Sequence, residues 1–368
     1  MLQSQNIRLP RLLFKIVAFL ILLNIIFVAM TFIPIGKLTL YNFVFPGRIR
    51  LPFGENPSQS YNLTLNNLDA MVSSHEISGA TKDSNHFRVV LIGDSSIWGF
   101  LQRPEETLAG ILKSDPEFSC DSRTVEIFNF GYPSLSIMKD LFFLEKALTF
   151  EPDLVLWFVT LESLNQSDQL STPLIANNPI ELNRIILRYD LSFSPQKTSL
   201  WDLTIVNQRR NFADMVRLQL YGVMWAATRI DQHYPETYTP AQRDFEVNAT
   251  YKGYTDQIIG ESDLALEVIQ RSIVKNSSVD FILINEPILI ASGENSDVRY
   301  NYYYPRWAYD QYREIINKFA AREQIKLYDF WDLVPEENFT NSAIHLDTIG
   351  ENLLADEVKT IIKEHCEP

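Results

Sequence analysis

FRVVLIGDSSIWGF, residues 87–100, decides how the rest of this chain is read. Val89-Val90-Leu91-Ile92 is a wholly apolar, largely β-branched run that ends at Gly93. Such a run suits a short strand covered on both faces. Gly93-Asp94-Ser95 then turns the chain, which sets a serine hydroxyl at the carboxyl end of a strand. In open parallel sheets, ligands bind at that end. Asp94 reads as a brace whose carboxylate accepts from the turn's own backbone.

Downstream, strand and helix patterns alternate. Thr124–Phe130 (TVEIFNF) is a second strand, closed by Gly131-Tyr132-Pro133. Asp153–Thr160 is a third, Asp280–Ile284 a fourth and Ile325–Tyr328 a fifth. Helices are expected after Pro104, over 136–149 and over 308–321, and a T-x-x-E capping box at Thr348–Glu351 opens a last one. This alternation predicts an α/β protein: a parallel sheet between two helical layers, α/β/α. Gly93-Asp94-Ser95, Gly131 and Thr160-Leu161-Glu162 all fall at strand carboxyl ends.

Between the third and fourth strands lies a largely helical insertion of about residues 165–278. Its segment FADMVRLQLYGVMWAATRI, 212–230, can gather Met215, Leu218, Leu220, Met224 and Trp225 on one face. That face would pack on the core, cap the site, or rest on a membrane or membrane partner. The tyrosine-rich run Arg299–Trp307 suits either stacking on sugar rings or interior packing.

The N-terminus reads differently. Ile16–Ile35 is 20 residues with no charge and one amide, Asn24, long enough to cross a bilayer. Arg8, Arg11 and Lys15 precede it, and the exit TFIPI lacks a small-x-small cleavage pattern, so an uncleaved anchor is expected. The expected organisation is a cytoplasmic tail (1–15), a transmembrane helix (16–35), a juxtamembrane connector (36–86) with Pro46, Pro52 and Pro57, and a domain over 87–368 outside the cytoplasm.

Composition excludes some classes. The 368 residues carry a net charge of -14, which argues against a nucleic-acid partner. No two of the five histidines sit at metal-ligand spacing, and no metal or organic cofactor is expected. Cys120 and Cys366 form one disulfide or remain two thiols; spacing does not decide.

From Phe87 onward the chain resembles the SGNH, or GDSL, hydrolase superfamily. The resemblance rests on GDS after the first strand, a glycine after the second (FNFGYPS) and a late histidine before the last helix (AIHLDTIGENLL). It implies a three-layer, flavodoxin-like sheet. It implies Ser95 as nucleophile, His345 as general base, and backbone N–H groups of Ser95 and Gly131 as the oxyanion hole. Serine needs such a base, and the tetrahedral intermediate needs preplaced donors. Two positions depart from the family. Glu162 stands where its third block has an oxyanion-donating Asn, and Ser342 stands three residues before the His, where an Asp is usual. Glu162 or Asp347 would then orient the imidazole, with Asp329 and Asp332 as further carboxylates, or the pair would run as a dyad; Asp347 also reads as a helix-start acid. The implied function is a membrane-anchored esterase or O-acyltransferase acting on acyl (acetyl) esters of an envelope glycan or lipid. Membrane-tethered relatives often work beside a multi-pass membrane acyltransferase that supplies the acyl group. The competing class is a catalytically inactive glycan-binding or scaffold subunit, and a third option is a lipase with 212–230 as its lid.

Overall fold

The computed structural model describes residues 9–30, 40–45, 68–73, 75–230, 233–241, 247–254 and 256–366. The tail up to residue 8 and most of the 36–86 connector, including Pro46, Pro52 and Pro57, lie outside the described residues.

The strands are β1 (His86–Gly93), β2 (Ser119–Cys120), β3 (Arg123–Gly131), β4 (Leu154–Val159), β5 (Asp280–Asn285) and β6 (Lys326–Asp329). They lie in the order β2-β3-β1-β4-β5-β6. Neighbours run parallel except for the β2-β3 pair. The antiparallel edge strand was not expected, because two residues are too few to show a pattern. The five parallel strands follow the flavodoxin-like order, second-first-third-fourth-fifth. From β1 the chain goes to one side to form β3 and returns to the other side to form β4. The crevice at that reversal is the switch point of the sheet, and Ser95 follows β1 directly into it.

The longer helices are α1 (Leu9–Met30), α2 (Leu108–Lys113), α3 (Ile137–Ala147), α4 (Pro179–Tyr189), α5 (Ile205–Thr228), α6 (Leu266–Lys275), α7 (Arg306–Glu323) and α8 (Thr348–Cys366). The apolar run of β1 divides by the period of two. Val90 and Ile92 join Trp157 in the layer of α3, α4, α6 and α7. Val89 and Leu91 join Leu156 and Ile284 in the layer of α2 and α8. Each side chain of this kind contributes about 1.5–3 kcal/mol as an upper figure. Two covered faces are why the strand reads as a continuous apolar run rather than an alternation.

Several boundaries differ from expectation. The apolar helix begins at Leu9, not at residue 16, since Arg11 and Lys15 are tolerated in its first turns. Residues 31–35 lie outside the described residues. Its 22 residues span about 33 Å, and Leu9–Ala29 is long and apolar enough to cross a membrane. The segment expected at 212–230 falls, up to Thr228, within a longer helix, α5. The T-x-x-E box does not form: Thr348 is already helical, and Asp347 caps α8 by accepting from Gly350 N at 2.8 Å. Cys120 and Cys366 are joined in a disulfide, which ties β2 to the last turn of α8.

Candidate active site

Ser95 opens a one-turn helix, Ser95–Trp98, that leaves β1. Asp94 is its cap, with Oδ1 accepting from Ser96 N at 2.8 Å. The turn closes on Gly99 at φ 86, a left-handed conformation suited to glycine. Gly93 and Gly131 are register partners at the ends of β1 and β3. A Cβ on Gly131 would stand 2.5 Å from Trp98 N and 2.8 Å from Ile97 C. This glycine therefore exists to let the serine-bearing helix lie against the end of β3.

His345 reaches the same point from 250 residues away, with Nε2 2.8 Å from Ser95 Oγ. Its other nitrogen, Nδ1, lies 3.0 Å from Asn341 Oδ1. An amide oxygen only accepts, so Nδ1 carries the hydrogen. Nε2 then holds a lone pair toward the serine hydroxyl, which is the tautomer a general base requires. Thr340 N donates to His345 O at 2.9 Å, and the Phe100 ring packs 4.9 Å from the imidazole. Burial pushes the His345 pKa below its ordinary value, and the Asp94 carboxylate opposes that shift.

Neither expected carboxylate meets the imidazole nitrogens. Asp347 faces the other way, accepting from Gly350 N and, at 3.2 Å, from Asn338 Nδ2. Glu162 forms an ion pair with Lys252 at 2.5 Å and accepts from the Tyr251 hydroxyl at 3.1 Å. Asp329 is bound by Arg313 and Asn285. Asn341 stands four residues before the histidine rather than three and is an amide, so neither its offset nor its residue type matches the family pattern. Of the two expected oxyanion donors, the Ser95 N–H heads a helix and has no intrahelical acceptor. The Gly131 N–H donates to Asn129 Oδ1 at 2.8 Å.

Beneath the serine lies a buried polar layer that no motif indicated. Glu286, just beyond β5, accepts from Ser96 Oγ at 2.5 Å. Burial and, next, the adjacent Asp94 hold Glu286 well above the usual carboxylate range. Lys139 donates to Gly93 O at 2.7 Å and Tyr132 O at 2.8 Å, and pairs with Asp140 at 2.5 Å. One ammonium thus clamps the carboxyl ends of β1 and β3. The signals were a lysine inside an otherwise apolar helix face and a glutamate at a strand end.

The tyrosine run forms one wall. Tyr300 and Tyr304 are buried, which answers to the packing reading, and Tyr304 OH lies 3.0 Å from Thr160 Oγ1. Tyr303 is partly exposed, and its pKa is pushed up to about 12 by burial and then by Tyr302, with Glu162 and Asp94 adding to the rise. Tyr302 OH accepts from Ala343 N at 3.2 Å, which secures the loop that carries His345. A cavity of about 550 Å³ opens at the opposite end of the sheet, between Lys82, Arg123, Asp153 and Asp280, away from this chemistry. Among the described residues, no group of three or more His, Cys, Asp or Glu side chains is placed to hold a metal ion.

No family model matches the chain, and no curated protein matches it. Solved structures resemble it in fold. A lipase/acylhydrolase from Enterococcus faecalis is 14% identical with a TM-score of 0.37, covering 76% of this chain and 96% of its own. A carbohydrate acetylesterase from Sinorhizobium meliloti is 10% identical at 0.36, covering 76% and 99%. A psychrotrophic esterase from Pseudoalteromonas is 12% identical at 0.35, covering 77% and 100%. At such identities and scores, the chemistry has to be argued from the side chains of this chain.

Proposed function

We propose that this chain is a membrane-anchored serine esterase or O-acyltransferase in which Ser95 carries the acyl group. The observation that carries the reading is the relay Ser95 Oγ, His345 Nε2 and Nδ1, Asn341 Oδ1, at 2.8 and 3.0 Å. A hydroxyl, a lone pair aimed at it and a group fixing the tautomer are the three parts of an activated serine.

Ser95 Oγ attacks the ester carbonyl while His345 Nε2 takes its proton. The oxyanion that forms is met by the Ser95 N–H and by the Gly131 N–H, once the latter leaves Asn129. Collapse breaks the acyl–oxygen bond, and the imidazolium returns its proton to the departing alcohol. Water, or the hydroxyl of an acceptor, then attacks the acyl-enzyme with His345 again as base. Asn341 holds the ring but brings no negative charge, so the imidazolium is less stabilised than beside an aspartate. Glu162, held by Lys252 and Tyr251, shapes the wall rather than donating to the oxyanion.

The anchor is α1, and the Cys120–Cys366 disulfide fits an oxidising compartment beyond the membrane. The substrate class that suits this setting is an acyl, above all acetyl, ester of an envelope glycan or lipid. In transfer, the acyl group would come from a membrane partner such as a multi-pass acyltransferase.

The test is a fluorophosphonate probe on the full chain in detergent, with mass spectrometry to locate the adduct. The expected adduct is on Ser95 and is lost in Ser95→Ala and His345→Ala. A folded wild-type chain with no adduct and no turnover of an aryl acetate would overturn the reading in favour of a binding or scaffold role.

A further inference from the structure

The lone amide of the apolar helix has a partner outside that helix. Asn24 Nδ2 donates to Leu20 O at 2.8 Å, while Asn24 Oδ1 accepts from Ile205 N at 3.1 Å. Ile205 is the first residue of α5, so its N–H has no acceptor within its own helix. Close by, the rings of Phe27 and Phe212 meet edge to face with centroids 5.8 Å apart. A polar group in hydrocarbon needs such a partner, and here it serves as a cap for a helix of the insertion. Asn24 lies five residues inside the end of the Leu9–Ala29 span, about 8 Å along the axis. An interfacial helix rides at about that depth, ~5–10 Å into the headgroup boundary.

The exposed apolar face of α5 fits the same location. Phe212, Val216, Leu220 and Met224 recur every four residues and so form one stripe, exposed by 41%, 42%, 58% and 50%. Exposed arginines, Arg210 and Arg217, border it, Arg217 paired with Asp214. The helix carries three arginines, Arg209, Arg210 and Arg217, against one acid, Asp214, in a chain whose net charge is -14. Arginines at the edge of an apolar stripe can reach phosphate while their stems stay in the apolar zone.

We propose that α5 is an interfacial helix resting in the phospholipid leaflet from which the carboxyl end of α1 emerges. Its 212–224 stripe enters the acyl boundary and its arginines meet the headgroup phosphates. This rests on α1 being a membrane anchor, and it extends that reading to the site. The chain that follows α5 runs to the histidine loop, where Ala241 N donates to Thr340 O at 3.0 Å. Thr340 in turn holds His345 O. With α5 on the leaflet, the catalytic loop would face the membrane surface, where an ester on a membrane-bound substrate would be presented.

The test uses the full chain in nanodiscs of phosphatidylcholine and phosphatidylglycerol, spin-labelled singly through Val216→Cys, Leu220→Cys, Asn207→Cys or Ile21→Cys. Collision with oxygen reports lipid exposure, and collision with a water-soluble nickel chelate reports aqueous exposure. The expected oxygen-to-nickel ratio at 216 and 220 is several-fold above that at 207, and the label at 21 is lipid-exposed. If 21 is lipid-exposed but 216 and 220 favour nickel, α5 lies in water and the inference falls while the anchor stands. If 216 and 220 are shielded from both reagents, a protein partner or second copy covers the stripe and the inference falls likewise. If 21 is not lipid-exposed, the anchor falls and takes the inference with it.

Discussion

Replacing Asn341 by Asp is the most direct perturbation of the relay, because it changes charge at Nδ1 and little else. A carboxylate about 4 Å from the imidazole is worth ~1 kcal/mol in water and ~4 kcal/mol at an effective dielectric of 20. At 1.36 kcal/mol for each pH unit, that is roughly 0.7–3 units. Asn341 is exposed, which places the shift toward the lower end, about 1 unit. The sign follows from the charge: a carboxylate favours imidazolium, so the His345 pKa rises and the base form needs a higher pH. In the native chain, burial holds that pKa below its ordinary value, so the acid limb of kcat/KM lies correspondingly low. Asn341→Asp should move the limb upward by about one unit and raise the plateau, since the imidazolium formed in the transition state gains a counter-charge. Asn341→Ala should lower kcat by about 10²-fold through loss of orientation, without the upward shift. The assay is the pH dependence of aryl acetate hydrolysis, with circular dichroism to show that each variant folds. An acid limb at the wild-type pH in folded Asn341→Asp would refute the assignment of Asn341 to Nδ1, or of His345 as the base.

Three further outcomes follow from the packing. Gly131→Ala puts a Cβ 2.5 Å from Trp98 N, so the Ser95 helix must shift; stability should fall by about 1–3 kcal/mol in denaturant melts, with fluorophosphonate labelling lost in the folded protein. Lys139→Met strands Asp140 and the carbonyls of Gly93 and Tyr132, and chemical denaturation should show a loss of about 3–5 kcal/mol. Glu351 is buried against Gln102, and burial raises its pKa from 4.5 to about 8. Between those values the native state holds a proton that the unfolded chain has lost, so stability declines as pH rises through that window. Glu351→Gln should melt above wild type at pH 8, with the gap closing toward acid pH; a gap independent of pH would mean that Glu351 is ionised in the fold.

The sequence alone determined the elements whose signal is local. Four consecutive apolar β-branched or leucine residues before Gly93 suit a strand with both faces covered, and alternation with helices then implies the parallel sheet. Ser95, Gly131 and His345 were picked out through the resemblance to the SGNH hydrolases, on motifs that lie at junctions between elements. Tertiary structure decided what depends on meetings across long separations. The imidazole partner is Asn341 because the loop between Thr340 and His345 folds back on itself, which sequence offset does not encode. Asp347 and Glu162 carry the charge that a reader would seek, yet one is spent on a helix start and the other on Lys252. Glu286 and Lys139 look like ordinary charged residues until the sheet closes over them, and removal from water makes a hydrogen-bond partner for each obligatory. Asn24, an anomaly in an apolar run, has its reason in Ile205, which is 181 residues away. Periodicity and turn chemistry act over a few residues, whereas desolvation and hydrogen-bond satisfaction act on whatever the completed fold brings together.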